Sequence, residues 1–243
     1  MDGGFRVVFA LYPRVTQLDF TGPFEVLSRL PNANCLLASV EGGTIQGDGG
    51  IAFANVKPLG EIPDCALLCV PGGYGTVAAM GDEVYLQQLR RLATGAQYIT
   101  SVCTGSLLLA AAGLLEGKRA ACHWAWRDSL SVFGVTPATG RVVRDGNVIS
   151  GGGVTAGIDM ALTVVAEIAG ADYAKTVQLA IEYAPAPPFN SGRPEIAEPA
   201  IVVAARMRLD AMRADRDAAV IRAAAALSRE RKDRRFRTDI QTN

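Results

Sequence analysis

The sequence predicts an α/β fold with a mainly parallel β-sheet. Short β-branched or apolar runs alternate with glycine-rich turns and longer amphipathic segments, which is typical of repeated strand–helix units. The 243 residues suffice for one large core, and 49% apolar with 20% charged residues is typical of a folded protein. We therefore predict one domain over residues 1–190 and a C-terminal helical extension over residues 191–243.

The first predicted elements are a strand over residues 5–12 and a short helix over residues 22–30. Thr21 and Pro23 favour this helix start, because a capping side chain followed by a proline of fixed φ suits a first helical turn. Asp19 is then expected in the loop between the strand and the helix.

The next strands place a turn at one edge of the sheet. A strand over residues 34–40 leads into a polar, glycine-rich stretch, and residues 41–56 are expected to form an antiparallel flap. The apolar run 66–70 is a predicted strand that ends in the Pro-Gly-Gly turn at residues 71–73. Ligands of open α/β sheets bind at the carboxyl ends of the strands, so this turn is a candidate binding element.

A further strand, residues 98–102, runs directly into Cys103 and an alanine- and leucine-rich helix. The other predicted elements of the domain are a helix over residues 82–94, a hairpin over residues 141–150 turning at Asp145 and Gly146, a helix over residues 155–169 and a last helix up to Tyr183.

The C-terminal part begins with a proline-rich tether at residues 185–189, because proline fixes φ and disfavours helix before it. Residues 195–237 are rich in alanine and arginine, with charges of both signs. This pattern predicts a helix packed on the domain or on a neighbouring subunit. A nucleic-acid-binding tail is the alternative.

Composition favours a small-molecule substrate and argues against a nucleic-acid partner. The 24 basic and 24 acidic residues balance, so no field concentrates polyanions. No signal-peptide pattern precedes the first strand, and we therefore expect a cytoplasmic protein. The longest apolar stretch, residues 107–115, is about half the roughly 20 residues that cross a bilayer, so no membrane association is expected.

The five cysteines lack metal-ligand spacing, which predicts free thiols in a reducing compartment and no metal site. Cys65 and Cys69 are expected to pack in the core. Cys103 differs, because a strand-to-helix turn exposes a nucleophile and the helix start favours a thiolate of lowered pKa. From the pattern alone, a buried packing thiol remains the alternative, since no histidine is adjacent in sequence.

Three sequence blocks carry a specific resemblance. They are QLDFTGP at residues 17–23, SVCTGS at residues 101–106 and EYAPAPPFN at residues 182–190. Together with weaker blocks through most of the chain, they resemble the ThiJ/PfpI superfamily and, within it, the isocyanide hydratases. The resemblance implies a three-layer α/β sandwich like that of class I glutamine amidotransferases, which is flavodoxin-like, and a homodimer.

The same resemblance implies an enzyme that adds water to an organic isocyanide, giving an N-substituted formamide without a metal or organic cofactor. Cys103 falls on the nucleophile, Asp19 on the acid that faces the sulfur, and Thr104 on a neighbour that the hydratases require. The backbone amides of Gly73 and Thr104 are expected to line the thiolate pocket. The amide of Val154 is expected to approach the sulfur.

These residue types suit that chemistry. An isocyanide carbon accepts a soft nucleophile when it also receives a proton. We expect Cys103 to attack while a protonated Asp19 delivers the proton, after which the thioimidate adds water. A nearby sulfur anion would keep the carboxyl neutral. The residues alone leave open that Asp19 merely bonds nearby loop amides.

Several alternatives remain open. His123, the single histidine, has either a supporting role or a structural one, and it cannot hold a metal alone. A glyoxalase or deglycase-like enzyme of the same superfamily is the first alternative function, although that branch carries glutamate where this chain has Asp19. A nonenzymatic cysteine redox sensor is another alternative.

Three further readings are disfavoured. PfpI-type proteases carry histidine where this chain has Thr104, which argues against a peptidase. The tail beyond Pro194 is too short for the usual pair of helix-turn-helix motifs of a transcriptional regulator. The spacing of Gly151, Gly153 and Ala156 fits a dinucleotide motif, but its position after a late strand does not.

Overall fold

The computed structural model describes residues 4–210 and 213–241, and the side chains of the last helix as far as residue 232. The strands of this part, β1 to β10 in chain order, are Phe5–Ala10, Ala33–Ser39, Gly43–Gln46, Ala52–Pro58, Leu67–Val70, Tyr98–Val102, Arg119–Ala120, Thr136–Pro137, Val142–Asp145 and Val148–Gly151. The α-helices, α1 to α8, are Gln17–Leu27, Thr76–Ala79, Glu83–Ala93, Gly105–Ala111, Ala156–Ala169, Ala171–Ala180, Pro199–Asp210 and Arg213–Gln241.

Eight strands form one sheet in the order β3-β4-β2-β1-β5-β6-β10-β9. The neighbours from β4 to β10 pair in parallel, whereas β3 pairs antiparallel with β4 and β9 antiparallel with β10. The antiparallel pairs confirm the predicted flap and the hairpin at Asp145 and Gly146. The chain first adds β2 on one side of β1 and later adds β5 on the other, so the strand order reverses between β1 and β5.

Helices flank both faces of this sheet. Helices α1, α5 and α6 pack together as one group, and α2, α3 and α4 pack together as another. The central strands are buried on both faces, and Val7, Val8, Phe9 and Ala10 of β1 have no exposed surface. The predicted α/β fold with a mainly parallel sheet between two helical layers is therefore confirmed.

Helix α1 corrects the predicted position of Asp19. The helix begins at Gln17, so Asp19 lies in its first turn and Pro23 lies inside it, whereas the sequence pattern predicts a loop at Asp19 and a start near Thr21. The Thr21 hydroxyl donates to Gln17 Oε1 at 2.9 Å instead of capping a helix. Proline removes one helical hydrogen bond, and burial of this helix face against α5 outweighs that loss.

Other predicted elements lie close to their expected positions. Helix α3 begins after Asp82, whose carboxylate accepts a hydrogen bond from Tyr85 N at 3.0 Å, as an N-cap does. Residues 185–189 contain no helix. Cys65 and Cys69 are both buried, as predicted.

The C-terminal helix α8 packs on the domain beside α2, α4 and the 3-10 helix Arg127–Phe133. Its apolar face is buried through Ala219, Val220, Ala223 and Leu227. Arg216 stacks on the Trp126 ring and donates to Ala125 O at 3.1 Å. Among the described residues, no helix combines the length and apolar character that a membrane span needs.

Candidate active site

A cavity of about 290 Å³ opens at the carboxyl ends of the central strands, beside the point where the strand order reverses. Open α/β sheets bind their ligands at such a point, because loops on either side of it diverge. The cavity wall is mainly apolar. It is formed by Thr16, Asp48, Gly73, Tyr74, Cys103, Thr104, His123, Trp126, Val154 and Leu209.

Cys103 lies at the turn between β6 and α4, with the positive φ of 59° that a strained nucleophile elbow has. Its backbone N–H donates to Gly151 O at 3.0 Å, which holds the turn against β10. A Cβ at residue 105 would lie 2.0 Å from Val70 O, so glycine is needed for α4 to begin this close to β5. The turn thus presents the sulfur to the cavity while leaving Cys103 only 6% exposed.

Asp19 is fully buried and faces Cys103 from α1. Its Oδ2 accepts a hydrogen bond from Gly72 N at 2.9 Å. Its Oδ1 is buried and has no conventional hydrogen-bond partner among the described residues, although the carboxyl interacts with the Cys103 thiol. Burial raises the pKa of Asp19 from 3.8 to about 7, while the Gly72 amide and the thiol act in the opposite direction.

The Cys103 thiol has a raised pKa, so the prediction of a lowered one is wrong. Burial raises the pKa well above its usual value, and the neighbouring Asp19 adds to this effect. The Thr104 amide hydrogen-bonds the sulfur and lowers the pKa, but less than burial raises it. Helix α4 has only seven residues, and withdrawal of the sulfur from water dominates.

Asp19 and Cys103 form a coupled pair, here called the acid–thiol pair. The first proton leaves this pair at about pH 7, because the carboxyl releases it before the thiol does. Above about pH 7 the pair therefore retains one proton, which a carboxyl oxygen and a sulfur atom share. Such a pair can supply a nucleophile and a proton to the same substrate.

Thr104 connects the elbow to the turn that follows β5. Its amide contacts the sulfur, whereas the Gly73 N–H donates to Thr104 Oγ1 at 3.1 Å. Of the two amides expected to line the thiolate pocket, that of Thr104 contacts the sulfur and that of Gly73 bonds the Thr104 hydroxyl. Gly73 still borders the cavity.

His123 and Val154 both line the cavity. His123 Nδ1 accepts a hydrogen bond from Ala125 N at 3.3 Å, so the ring hydrogen of a neutral imidazole is on Nε2. Burial lowers the pKa of His123 below 6.5, which favours this neutral form. His123 is therefore not a source of positive charge for the sulfur at neutral pH.

Sequence reasoning missed several residues at the site. Asp48, from the flap, accepts hydrogen bonds at Oδ2 from Thr16 Oγ1 at 2.9 Å and Tyr74 N at 3.3 Å, and it raises the pKa of Asp19. Trp126 and Leu209 contribute apolar wall. Only a polar side chain in a glycine-rich flap hinted at Asp48, and no local pattern marked Leu209.

The part of the chain that the structure describes contains no cluster of three histidine, cysteine, aspartate or glutamate side chains that could hold a metal. A larger cavity, of about 490 Å³, lies between α8 and helices α2 to α4 and does not include Cys103. The chemistry-bearing residues are thus gathered in the smaller cavity, which is the candidate active site.

Fold, elbow and acid–thiol pair define a class of protein, and residues 5–167 match the DJ-1/PfpI family. The chain belongs to this family, which confirms the resemblance seen in the sequence. Among its relatives, the isonitrile hydratase of Pseudomonas putida is 50% identical over 206 residues, covering 84% of this chain and 89% of that protein.

Two further proteins show how far the similarity extends. The crystal structure of a ThiJ/PfpI family protein from Pseudomonas syringae has a TM-score of 0.83 and 38% identity, and the match covers 91% of each chain. The HTH-type transcriptional regulator CdhR of Pseudomonas aeruginosa is 32% identical over 57% of this chain, but the match covers only 42% of that regulator. The likeness to the hydratase thus extends over far more of both proteins.

Proposed function

We propose that this protein is an isocyanide hydratase, which adds water to an organic isocyanide to give an N-substituted formamide. The observation that carries the proposal is the buried acid–thiol pair facing a mainly apolar cavity. Identity of 50% with an isonitrile hydratase over most of both chains supports the substrate class. An isocyanide has an apolar substituent and one reactive carbon, and the cavity offers matching surfaces to both.

In the first step, the Cys103 sulfur forms a bond to the terminal isocyanide carbon. The proton of the acid–thiol pair passes through Asp19 to the same carbon, which yields a neutral thioimidate and an Asp19 carboxylate. The pair needs to supply one nucleophile and one proton, whichever of its atoms holds that proton at rest. The Thr104 amide stabilises the sulfur by its hydrogen bond.

In the second step, Asp19 acts as a base. It accepts a proton from water while the oxygen adds to the thioimidate carbon, and that proton passes to the substrate nitrogen. The adduct then collapses: the carbon–sulfur bond breaks, the hydroxyl proton returns to Asp19, and the formamide leaves. The enzyme ends with the same single proton on the pair, so one water is consumed and no oxidant or reductant is needed.

We also propose how the enzyme is organised and where it acts. The residues act without a metal or organic cofactor, in the cytoplasm, on a small molecule and not on nucleic acid. Residues 1–190 form the catalytic domain, and residues 191–243 form an extension that adds Leu209 to the cavity wall. The active form is a homodimer, which would cover apolar side chains exposed on the monomer, such as Leu179, Val203 and Met207.

The test is to incubate the purified protein with an aryl or alkyl isocyanide and follow formamide formation by chromatography. Wild type should form the formamide. Cys103→Ala should abolish the reaction, and Asp19→Asn should slow it by about 10²- to 10⁴-fold because it removes the acid and base. Absence of product together with rapid consumption of methylglyoxal would overturn the proposal in favour of a glyoxalase or deglycase activity.

A further inference from the structure

A buried chain of hydrogen bonds leads away from the site through Thr104. The Gly73 N–H donates to Thr104 Oγ1 at 3.1 Å, and Thr104 Oγ1 lies 2.8 Å from Thr76 Oγ1. Thr76 Oγ1 lies 3.0 Å from the Tyr12 hydroxyl, which donates to Pro71 O at 2.9 Å. None of the three hydroxyl-bearing residues is more than 4% exposed, so water does not replace these bonds.

The number of hydrogens fixes the direction of this chain. Tyr12 has one hydroxyl hydrogen, which it gives to Pro71, so its oxygen accepts from Thr76. The Thr76 hydrogen is thereby used, and its oxygen must accept from Thr104. The hydroxyl hydrogen of Thr104 is therefore directed away from the acid–thiol pair.

That hydrogen has an alternative acceptor close by. A Cβ placed on residue 72 would lie 2.6 Å from Thr104 Oγ1 and 2.8 Å from Asp19 Oδ2, so the two oxygens are no farther apart than the sum of these distances. We expect the Thr104 hydroxyl, once it loses its acceptor, to rotate towards this carboxylate. A hydrogen bond to a carboxylate favours its ionised form.

We propose that Thr76 and Tyr12 are positioning residues that hold the Thr104 hydroxyl hydrogen away from Asp19 and so preserve the proton-donating ability of the acid–thiol pair. This inference rests on the proposed function for its role in turnover. Loss of either hydroxyl releases the same hydrogen. Without the Thr76 hydroxyl, the Thr104 hydroxyl loses its acceptor. Without the Tyr12 hydroxyl, the Thr76 hydroxyl donates to Thr104 Oγ1, and the Thr104 hydrogen must find another acceptor.

Other ionisable groups act on Asp19 but leave the direction of the effect unchanged. The groups that interact with it across the surrounding elements are Cys103, Asp48, Tyr12, Cys69 and Cys122. None of these groups is a cation. Tyr12 is neutral in the relevant range because burial raises its pKa well above 10, so replacing it by phenylalanine removes a hydroxyl and not a charge.

The experiment measures alkylation of Cys103 by iodoacetamide against pH, read by mass spectrometry of the peptide that contains it. The acid limb of this profile is the part in which the rate rises with pH. In Thr76→Val and in Tyr12→Phe it should move down by about one pH unit, because a hydrogen bond to a charged group changes its pKa by about that much. The plateau rate should fall about tenfold, because the stabilised carboxylate leaves the proton on the sulfur.

Two variants separate positioning from general destabilisation. Thr76→Ser keeps the hydroxyl and should restore the wild-type limb. Tyr85→Phe is the matched control: Tyr85 is buried, donates to Ala10 O at 2.8 Å and packs edge-on against Tyr12, but it lies outside the chain. The inference is wrong if the acid limb of alkylation lies at the same pH in Thr76→Val, Tyr12→Phe and Tyr85→Phe, even if the plateau rates differ.

Hydratase turnover gives a second readout. In Thr76→Val and Tyr12→Phe, kcat should fall about tenfold with little change in KM, and the acid limb of kcat should move with that of alkylation. An equal rise in KM without a change in kcat would contradict the inference. If wild type forms no formamide, the proposed function fails, while the alkylation profile still decides the role of Thr76 and Tyr12.

Discussion

Asp19→Asn would remove the free-energy cost of a buried carboxylate. Asp19 has no exposed surface, and burial is the main reason its pKa rises from 3.8 to about 7. Each pKa unit corresponds to about 1.4 kcal/mol, so ionised Asp19 destabilises the folded protein by about 4 kcal/mol. Asparagine has nearly the same shape and can still accept the Gly72 N–H, but it carries no charge.

The pH dependence of this free-energy cost follows from the direction of the pKa shift of Asp19. The folded protein holds the Asp19 proton more tightly than the unfolded chain does, so the stabilisation is complete below about pH 3.8 and is lost as the pH rises to about 7. The difference in free energy of unfolding, variant minus wild type, should therefore increase by roughly 3 kcal/mol between pH 5 and pH 8. Above that range it should be constant.

Urea unfolding at both pH values, followed by tryptophan fluorescence, measures this difference. Asp172→Asn is the control, because the Asp172 side chain is 98% exposed and its removal should give nearly the same difference at both pH values. A difference for Asp19→Asn that does not depend on pH would refute this prediction. The expected result is a variant that is more stable than wild type at pH 8 and nearly inactive, so a buried acid is retained for catalysis at the expense of stability.

Three other substitutions probe the cavity. Gly72→Ala should lower turnover on the order of 10²-fold, because its Cβ would lie 2.5 Å from Thr104 N and 2.8 Å from Asp19 Oδ2 and would displace both. His123→Asn should leave the acid limb of activity near pH 7, since that limb belongs to the acid–thiol pair; a pH–rate profile measures it. Leu209→Ala should raise KM about tenfold for bulky aryl isocyanides and much less for small alkyl ones, as steady-state kinetics would show.

Controls for these substitutions lie elsewhere in the chain. Gly60→Ala adds a Cβ with nothing within 4 Å and should retain full turnover. Val84→Ala shortens the side chain of a residue that is 53% exposed and lies outside the cavity wall, and it should not alter substrate preference. Full activity in Gly72→Ala, a lost acid limb in His123→Asn, or an equal KM change for all substrates in Leu209→Ala would each contradict its prediction.

The fold could be predicted well from the sequence because its signals are local. Apolar strands, the helical spacing of residues 82–94 and the Asp145–Gly146 turn each specify their own element, and the elements alone imply a parallel sheet. The start of α1 could not be predicted in this way. A proline usually marks a first helical turn, and only burial of the helix against α5 explains why Pro23 lies inside it.

For the candidate site, the sequence predicts the cysteine and the acid but neither the remaining wall residues nor the electrostatics. A strand-to-helix turn places Cys103, and the motif around Asp19 places the acid. The pKa of the sulfur depends on how completely the fold withdraws it from water, which no local pattern records. Thr76 and Tyr12 likewise lack any signal, because their roles depend on hydrogen bonds between residues 28 to 64 positions apart.

The reversal of strand order at β1 also constrains how activity arises during folding. Asp19, Gly72, Cys103 and Gly151 follow or end four different strands, and they meet only when β1, β5, β6 and β10 have paired. Parallel pairing closes long loops and is therefore slow. In a partly folded chain, Cys103 is present but Asp19 does not yet lie beside it as a proton donor. Recovery of catalysis on refolding should therefore coincide with completion of the whole central sheet.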